Sequence, residues 1–246
     1  MVNKNNLISS IEKYYLNGIV ESVKWNIVDG TINVSFVSPN QDLIGTMKYG
    51  IELENDIIGV FNTSALLKMI GILDSDIIVS VEKQHKIPMK LLIEDKNFSL
   101  QYSLANPSVI QNVPEIYEPE FDTTFPIDVE FISRFTKAKS ALGSNTKDIV
   151  RISNRLNDMK NNEVKLVLGE PTSHSNKIEF TSGAKFYKPS TEDIPFNSLH
   201  IREILVSNKD GLKEGTGYLS SEGLLKLEFK TETGDSVYYL PKLQIS

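Results

Sequence analysis

The chain lacks cysteine, is poor in histidine and has no long apolar run. The absence of cysteine from its 246 residues excludes disulfides, thiolate metal sites and cysteine nucleophiles, and it fits a cytoplasmic protein. The three histidines, His85, His174 and His200, lie far apart without metal-ligand spacing, so we expect no metal and no cofactor. No apolar stretch approaches the roughly 18 residues of a membrane span, and the first residues lack a signal-peptide core. We therefore expect no membrane partner.

The chain is also short of positive charge, since its formal net charge is -6. Proteins that hold DNA tightly by its phosphates are usually basic, so this value taken alone argues against a DNA-binding protein. It leaves room for a protein whose cations are gathered on one surface. No phosphate-binding loop of the GxxxxGK[ST] or GxGxxG type occurs, so nucleotide binding finds no support.

The first part of the chain has a helical pattern followed by strand patterns. Leu7, Ile11 and Tyr14 recur at helical spacing and predict a helix over 4–17. β-Branched and aromatic residues, with turn signals between them, predict strands over 19–28, 31–38 and 44–54.

An internal repeat is the most informative feature of the sequence. The triplet Phe-Asn-Thr at 61–63 recurs as Phe-Asn-Ser at 196–198, an offset of 135 residues (196 minus 61). Asn, Ser and Thr are preferred helix N-caps, and each triplet is followed by apolar residues at helical spacing. The repeat therefore predicts two equivalent short helices, one in each half of the chain.

The similarity between the halves extends beyond these triplets. We predict strands at 76–83 and 215–221, hairpins at 91–102 and 224–240, and a second long helix over 128–142. The predicted fold class is α+β, a duplicated domain with two helices packed on antiparallel sheets in each of two domains. The predicted domains are 1–112 and 113–246, joined by a proline-rich, acidic connector at about 105–127.

Three local patterns resemble the sliding clamp family, which includes proliferating cell nuclear antigen and the clamps of tailed bacteriophages. The run Tyr-Tyr-Leu-Pro-Lys at 238–242 resembles the end of cellular clamps, and 131–142 resembles the first helix of their second domain. The capped helices after 61–63 and 196–198 resemble the second helix of each clamp domain. The chain departs from cellular clamps because its first helix begins almost at Met1, leaving no initial strand, and because 157–162 and 169–192 match nothing in the pattern.

The resemblance implies a clamp-type fold and a non-enzymatic protein. Such a protein forms a homo-oligomeric ring, most often a trimer, encircles duplex DNA without sequence preference, and tethers the replicative DNA polymerase as a processivity factor. It also implies polymerase and other partners with short peptide motifs, and a clamp-loader ATPase that opens the ring. A phage-encoded clamp would act in the cytoplasm of the bacterial host.

If the helices line the ring, cations on their solvent sides should contact phosphates. The predicted DNA-facing residues are Lys4, Lys13, Lys68, Arg134, Lys137, Lys139 and Arg202. These seven cations stand against four acids on the same helices (Glu12, Asp128, Glu130 and Glu203), whereas the whole chain has 26 cations and 32 acids. Ordinary solvated helix faces are the alternative interpretation of this set.

A groove for partner peptides is predicted beside the connector. Its predicted residues are Val37, Leu43, Ile116, Tyr117, Leu240 and Pro241. The same residues could instead close the domain cores, and the sequence leaves both interpretations open.

Two other functions compete with the clamp. An enzyme would need a nucleophile beside a base, and Ser-His-Ser at 173–175 is the one suggestive string. A viral structural or adaptor protein built from duplicated β-rich domains could also be acidic, cysteine-free and oligomeric.

Overall fold

The computed structural model describes residues 1–74, 76–143, 148–169, 176–190 and 192–244. The chain divides into two compact units. The first holds Met1–Pro114 with Glu232–Ser236, and the second holds Glu115–Thr231 with Val237–Ser246. In the described part of the chain, no helix is long and apolar enough to cross a membrane.

The described residues of the first unit form two α-helices and eight strands. In chain order they are β1 Val2–Asn3, α1 Lys4–Tyr15, β2 Val23–Val28, β3 Thr31–Val37, β4 Ile44–Gly50, β5 Asp56–Val60, α2 Thr63–Gly71, β6 Asp76–Gln84, β7 Ile87–Glu94 and β8 Ser99–Ser103. Two antiparallel sheets result, with hydrogen-bonded strand orders β4-β3-β2-β5 and β1-β6-β7-β8.

Asparagine begins both helices of the first unit. The Asn3 side chain accepts from the backbone N–H of Asn5 at 3.0 Å and starts α1. Asn62 accepts from Ala65 at 2.8 Å and starts α2, as the sequence pattern predicts. Leu7, Ile11 and Tyr14 are buried on one face of α1. This stripe packs α1 on the sheet core.

The second unit repeats this organisation. Its elements are β9 Thr123–Pro126, α3 Val129–Ala141, β10 Ile149–Leu156, β11 Asn162–Gly169, β12 Lys177–Gly183, β13 Lys185–Phe186, β14 Ile194–Asn197, α4 Ser198–Ser207, β15 Leu212–Leu219, β16 Leu224–Thr231 and β17 Gly234–Pro241. The order β12-β11-β10-β14 matches β4-β3-β2-β5 of the first unit strand for strand, and the second sheet runs β13-β9-β15-β16-β17. The predicted α+β duplication is confirmed.

In the second unit, local hydrogen bonds cap both helices and long-range ring contacts pack α3. Asp128 accepts from Phe131 N at 2.7 Å and caps α3, while Asn197 accepts from Leu199 N at 3.0 Å and caps α4. Phe131 and Phe135 of α3 both contact the ring of Phe180 on β12, at 5.8 and 6.4 Å between centroids. The predicted apolar stripe of α3 therefore packs on the sheet.

One expectation about the chain is corrected. An initial strand is present, because Val2 and Asn3 pair with Ile77 and Asp76 of β6. Two residues are too few for a recognisable strand pattern, and only the distant β6 defines this one. The repeat is also imperfect, since Phe61 is 58% exposed whereas its counterpart Phe196 is fully buried.

Candidate functional site

The helices of the first unit carry two cations that reach solvent. Lys68 is exposed in the last turn of α2, where the partial negative charge of a helix C-terminus favours a cation. Lys4 is half-buried, and its Nζ donates to the carbonyl of Leu73 at 2.6 Å. Lys4 therefore lies beside the end of α2, near the turn that holds Lys68.

Lys13 does not reach the surface, so its predicted DNA contact is wrong. Its side chain is 0% exposed on α1. The face it occupies was expected to be solvated, yet Ser10, one turn earlier, donates to the carbonyl of Thr233 at 3.1 Å. The short segment Glu232–Ser236 belongs to the first unit. This segment is remote in sequence, so helical periodicity alone could not reveal that it covers α1.

Arg134 on α3 is partly exposed and has three neighbours in its own unit. Its Nη1 donates to Thr181 O at 3.1 Å, its Cζ lies 5.9 Å from the centre of the Phe180 ring, and its Nε lies 3.8 Å from the Glu130 carboxylate. Arg134 thus ties α3 to strand β12 as well as offering charge to solvent. A substitution here would change strand β12 together with any phosphate contact.

The other cations of the second unit differ in availability. Lys137 is exposed one turn after Arg134. Lys139 is largely covered and its Nζ lies 2.5 Å from Asp148, which leaves little charge for a phosphate. Arg202 of α4 is partly exposed and forms an ion pair with the buried Glu203. Lys137 is therefore the most accessible cation of this set.

The groove residues predicted in the first unit lie at the end of β3. Leu43 is fully buried, so it is a core residue and offers no surface to a peptide. Val37 lines a cavity of about 260 Å³. The other apolar residues around this cavity are Val20, Val23, Phe36, Pro39, Phe61, Val109, Ile110 and Val113. Periodicity could not identify this cavity, because the chain returns to β2 and β3 only at 109–113.

The groove residues predicted in the second unit are divided between core and surface. Leu240 is buried and belongs to the core, which corrects its assignment to a groove, whereas Pro241 is exposed. On the connector, Ile116 is half-buried and Tyr117 is 89% exposed. The connector meets the C-terminal strand one residue before Leu240, where the Tyr239 hydroxyl donates to Glu118.

A lysine surrounded by rings and carboxylates lies at this meeting point, and sequence reasoning missed it. Lys226 Nζ on β16 lies 3.0 Å from Glu118 and 2.8 Å from Glu228. It also lies within 5.5 to 5.8 Å of the centres of three aromatic rings, those of Tyr218, Tyr239 and Phe121. We call these six residues the Lys226 cluster. The sequence signal was weak, because Lys226 and Glu228 simply alternate with buried leucines along a strand.

Charge and burial shift the pKa values of four groups in the Lys226 cluster: burial raises the pKa of Tyr218, and the other three groups are Glu118, Tyr239 and Lys226. The hydrogen bond from Tyr239 is the main cause that lowers the pKa of Glu118. Burial, together with the neighbouring Glu118, raises the pKa of Tyr239 to about 12. Burial alone would lower the pKa of Lys226, but its hydrogen bonds with Glu228 and Glu118 outweigh burial and raise it. The shifts of these other three groups favour a charged Glu118, a neutral Tyr239 and a charged Lys226.

These shifts predict the pH range over which the cluster stabilises the fold. The contribution of Glu118 is present above its ordinary pKa of 4.5 and is lost as pH falls through its lowered folded value. That of Tyr239 is present below its ordinary value of 10.0 and is lost as pH rises through about 12. In an ultraviolet titration, the difference between the wild type and Tyr239→Phe should give a tyrosine ionising near pH 12. A difference curve centred near 10 would contradict this assignment.

The remaining chemical candidates give no site. His200 is buried in α4 rather than on the surface. The string Ser-His-Ser at 173–175 lies outside the described residues. Among the residues that the structure describes, no group of three or more histidine, aspartate or glutamate side chains could hold a metal ion.

Two units, each with two helices on paired antiparallel sheets, are the fold of the DNA sliding clamps. A solved structure of proliferating cell nuclear antigen (PCNA) from Entamoeba histolytica matches 98% of this chain and 96% of its own, with 20% identity and a TM-score of 0.75. The structure of A. fulgidus PCNA with the C-terminal region of FEN-1 bound aligns with 100% of this chain and 98% of the PCNA chain. The sequence identity is 14% and the TM-score is 0.75. A chain of the PCNA2-PCNA3 complex from Sulfolobus tokodaii aligns over 98% of this chain and 97% of its own length. The sequence identity is 10% and the TM-score is 0.70.

Sequence comparison adds no relative to these structures. No family model matches the chain, and no curated protein sequence matches it. The likeness to PCNA is therefore one of fold, and it extends over the whole chain.

Proposed function

We propose that the chain is the subunit of a DNA sliding clamp, a non-enzymatic processivity factor that encircles duplex DNA and tethers the replicative polymerase. The observation that carries this proposal is the PCNA fold over both units. A fold can host several functions, so the proposal also depends on the surfaces that the helices and strand edges present.

The accessible helix cations support a loose hold on DNA. Apart from the buried Lys13 and the largely covered Lys139, the five other predicted residues keep some exposure: Lys4, Lys68, Arg134, Lys137 and Arg202. Lysine and arginine contact phosphates without reading bases, so a duplex could be held and still slide. An acidic remainder of the protein would disfavour DNA on other surfaces. Retention would then come from closure of the ring rather than from tight binding.

Two open strand edges support assembly into a ring, and we assign the subunit contact to them. In the described residues, β8 ends one sheet of the first unit and β12 ends one sheet of the second. Such edges present unpaired backbone N–H and C=O groups that can pair with another chain. Pairing of β8 with β12 of a neighbour is head to tail, which generates a closed ring when the rotation closes. We propose a homotrimer.

Peptide partners are proposed by analogy with the PCNA that holds the C-terminal region of FEN-1. We propose peptide contacts for each unit taken by itself: the exposed Tyr117 and Pro241 in the second unit, and the Val37 cavity in the first. Apolar pockets next to extended segments are a common way to bind peptide motifs. A clamp-loader ATPase would open the ring, in the host cytoplasm if the chain is phage-encoded.

The test of this function is whether the protein is threaded on DNA. Dilute subunits are mixed with nicked circular duplex DNA and concentrated so that rings can close around it, and the complex is then separated by size in high salt. Protein should stay with circular DNA and leave once a restriction enzyme linearises it, because only a threaded ring is released at an end. Equal loss from both forms would contradict a clamp, and it is the result expected of the alternative, a viral structural or adaptor protein.

A further inference from the structure

Side chains fasten the second-unit part of the connector to the sheet of that unit. Residues 111–122 form no helix or strand. Glu118 and Phe121 nevertheless both contact Lys226. Its Nζ lies 3.0 Å from the Glu118 carboxylate and 5.8 Å from the centre of the Phe121 ring. Asp122 accepts from the backbone N–H of Ser221 at 2.9 Å. The stretch from Glu118 to Asp122 is thus held by side chains alone.

Lys226 is the centre of this attachment. Its side chain is only 15% exposed, and its ammonium group binds one carboxylate from the connector and one from its own strand. An exposed ion pair stabilises little, because water and salt screen it and both side chains lose freedom. Here the three rings exclude water from the ammonium and attract it through their faces. The pair with Glu118 is therefore stronger than an ordinary surface pair.

The hydroxyl of Tyr239 adds a second bond to the same carboxylate. It donates to Glu118 Oε1, whose partner oxygen, Oε2, lies 3.3 Å from Lys226 Nζ. One glutamate is thus bound by two strands, β16 and β17. Tyr117, immediately before this glutamate, has an 89% exposed side chain. The fixed carboxylate of Glu118 is therefore adjacent in sequence to the exposed aromatic ring of Tyr117.

We propose that Lys226 is a positioning residue that latches the connector at Glu118 and holds Tyr117 at the surface for a partner's peptide. The latch itself is a property of the second unit. Only its use by a partner rests on the proposed clamp function. Partners of matching chemistry would offer an apolar side chain to Tyr117 and would meet a connector that is already ordered. Binding to an ordered segment avoids the entropic cost of fixing a loop.

Hydrogen exchange on the whole protein tests the latch without DNA or partner. In Lys226→Met, which keeps the length of the side chain and removes its charge, the amide of Ser221, which donates to Asp122 of the connector, should exchange on the order of tenfold faster. Lys226→Arg should stay close to wild type, because arginine also binds carboxylates and stacks on rings. Lys230→Met is the matched control, since Lys230 lies on the same strand and pairs with Glu214 at 2.8 Å.

The outcomes separate the latch from general loss of stability. Unchanged exchange of the Ser221 amide in Lys226→Met would overturn the proposal, as would an equal increase in Lys230→Met. Glu118→Gln changes the connector side alone and should also accelerate exchange, which covers the case in which a sheet variant folds poorly. Unchanged exchange in Glu118→Gln would likewise overturn it.

A spin label at residue 117 gives a second readout. The chain has no cysteine, so Tyr117→Cys creates a single labelling site. The label should move more freely when Lys226→Met is added, and its spectrum should be unchanged by Lys230→Met. Equal mobility with and without Lys226 would overturn the latch. Neither experiment requires a ring, so a failed latch and a failed clamp are distinguishable.

Discussion

Aspartate in place of Leu100 should abolish the assembly that we propose through β8 and β12 and leave monomers. Leu100 is half-buried on β8, the open edge of its sheet, and Ile178 is half-buried on β12, the open edge in the other unit. A charge buried in an edge-to-edge contact has no partner there. We expect it to weaken association by at least about a hundredfold, or roughly 3 kcal/mol. Ile178→Asp should have the same effect.

Mixing the two variants makes the test specific. A mixture of Leu100→Asp and Ile178→Asp subunits retains one intact pair of edges, β12 of the first variant and β8 of the second. Native mass measurement should find monomers in each variant alone and dimers, but no larger species, in the mixture. A mixture that remains monomeric, or a variant that still assembles by itself, would remove these edges from the proposal. Circular dichroism of each variant establishes that its subunits fold.

The double charge reversal Lys68→Glu and Lys137→Glu should have the largest effect on DNA. Both side chains are exposed, one on α2 and one on α3. Each lost phosphate contact lowers the slope of log affinity against log salt by about 0.9, and reversal adds repulsion. We expect DNA affinity at low salt to fall roughly tenfold or more, with assembly unchanged.

Charge reversal should avoid cations that also hold their own unit together. Arg134 holds strand β12 through Thr181 and Phe180, so its reversal would disturb the edge that we assign to the subunit contact. Lys230→Glu is the control for charge, since it lies on the sheet surface and on none of the four helices. DNA affinity should be measured against salt for both proteins. Equal slopes for the double variant and the wild type would exclude Lys68 and Lys137 from the DNA surface.

Local patterns predicted the helices well because their causes are local. The asparagine caps at Asn62 and Asn197 bond to backbone groups two or three residues away. The apolar stripe of α3 needs no knowledge of its partner, since any packed helix buries its apolar face. The same holds for the alternation along β16, where Leu225, Leu227 and Phe229 are buried. The duplication followed from comparing these local signals at one offset.

Errors arose where a remote segment covered a face that looked solvated or polar. Lys13 is buried on the side of α1 that Glu232–Ser236 approaches, and β1 exists only because β6 pairs with it. Phe61 and Phe196 occupy equivalent places in the repeat, yet one is exposed and the other buried. The two triplets differ only in Thr63 against Ser198, so the surroundings of each phenylalanine outside its triplet account for the difference.

Amino-acid order was sufficient for the class of fold, the duplication and the places where helices begin, since capping and periodic burial act over a few residues. It was insufficient for the surfaces that function requires. The accessibility of a cation, the open edge of a sheet and the environment of Lys226 depend on segments tens to hundreds of residues apart. Burial and electrostatics act through distance in space, and that distance exists only once the chain has folded.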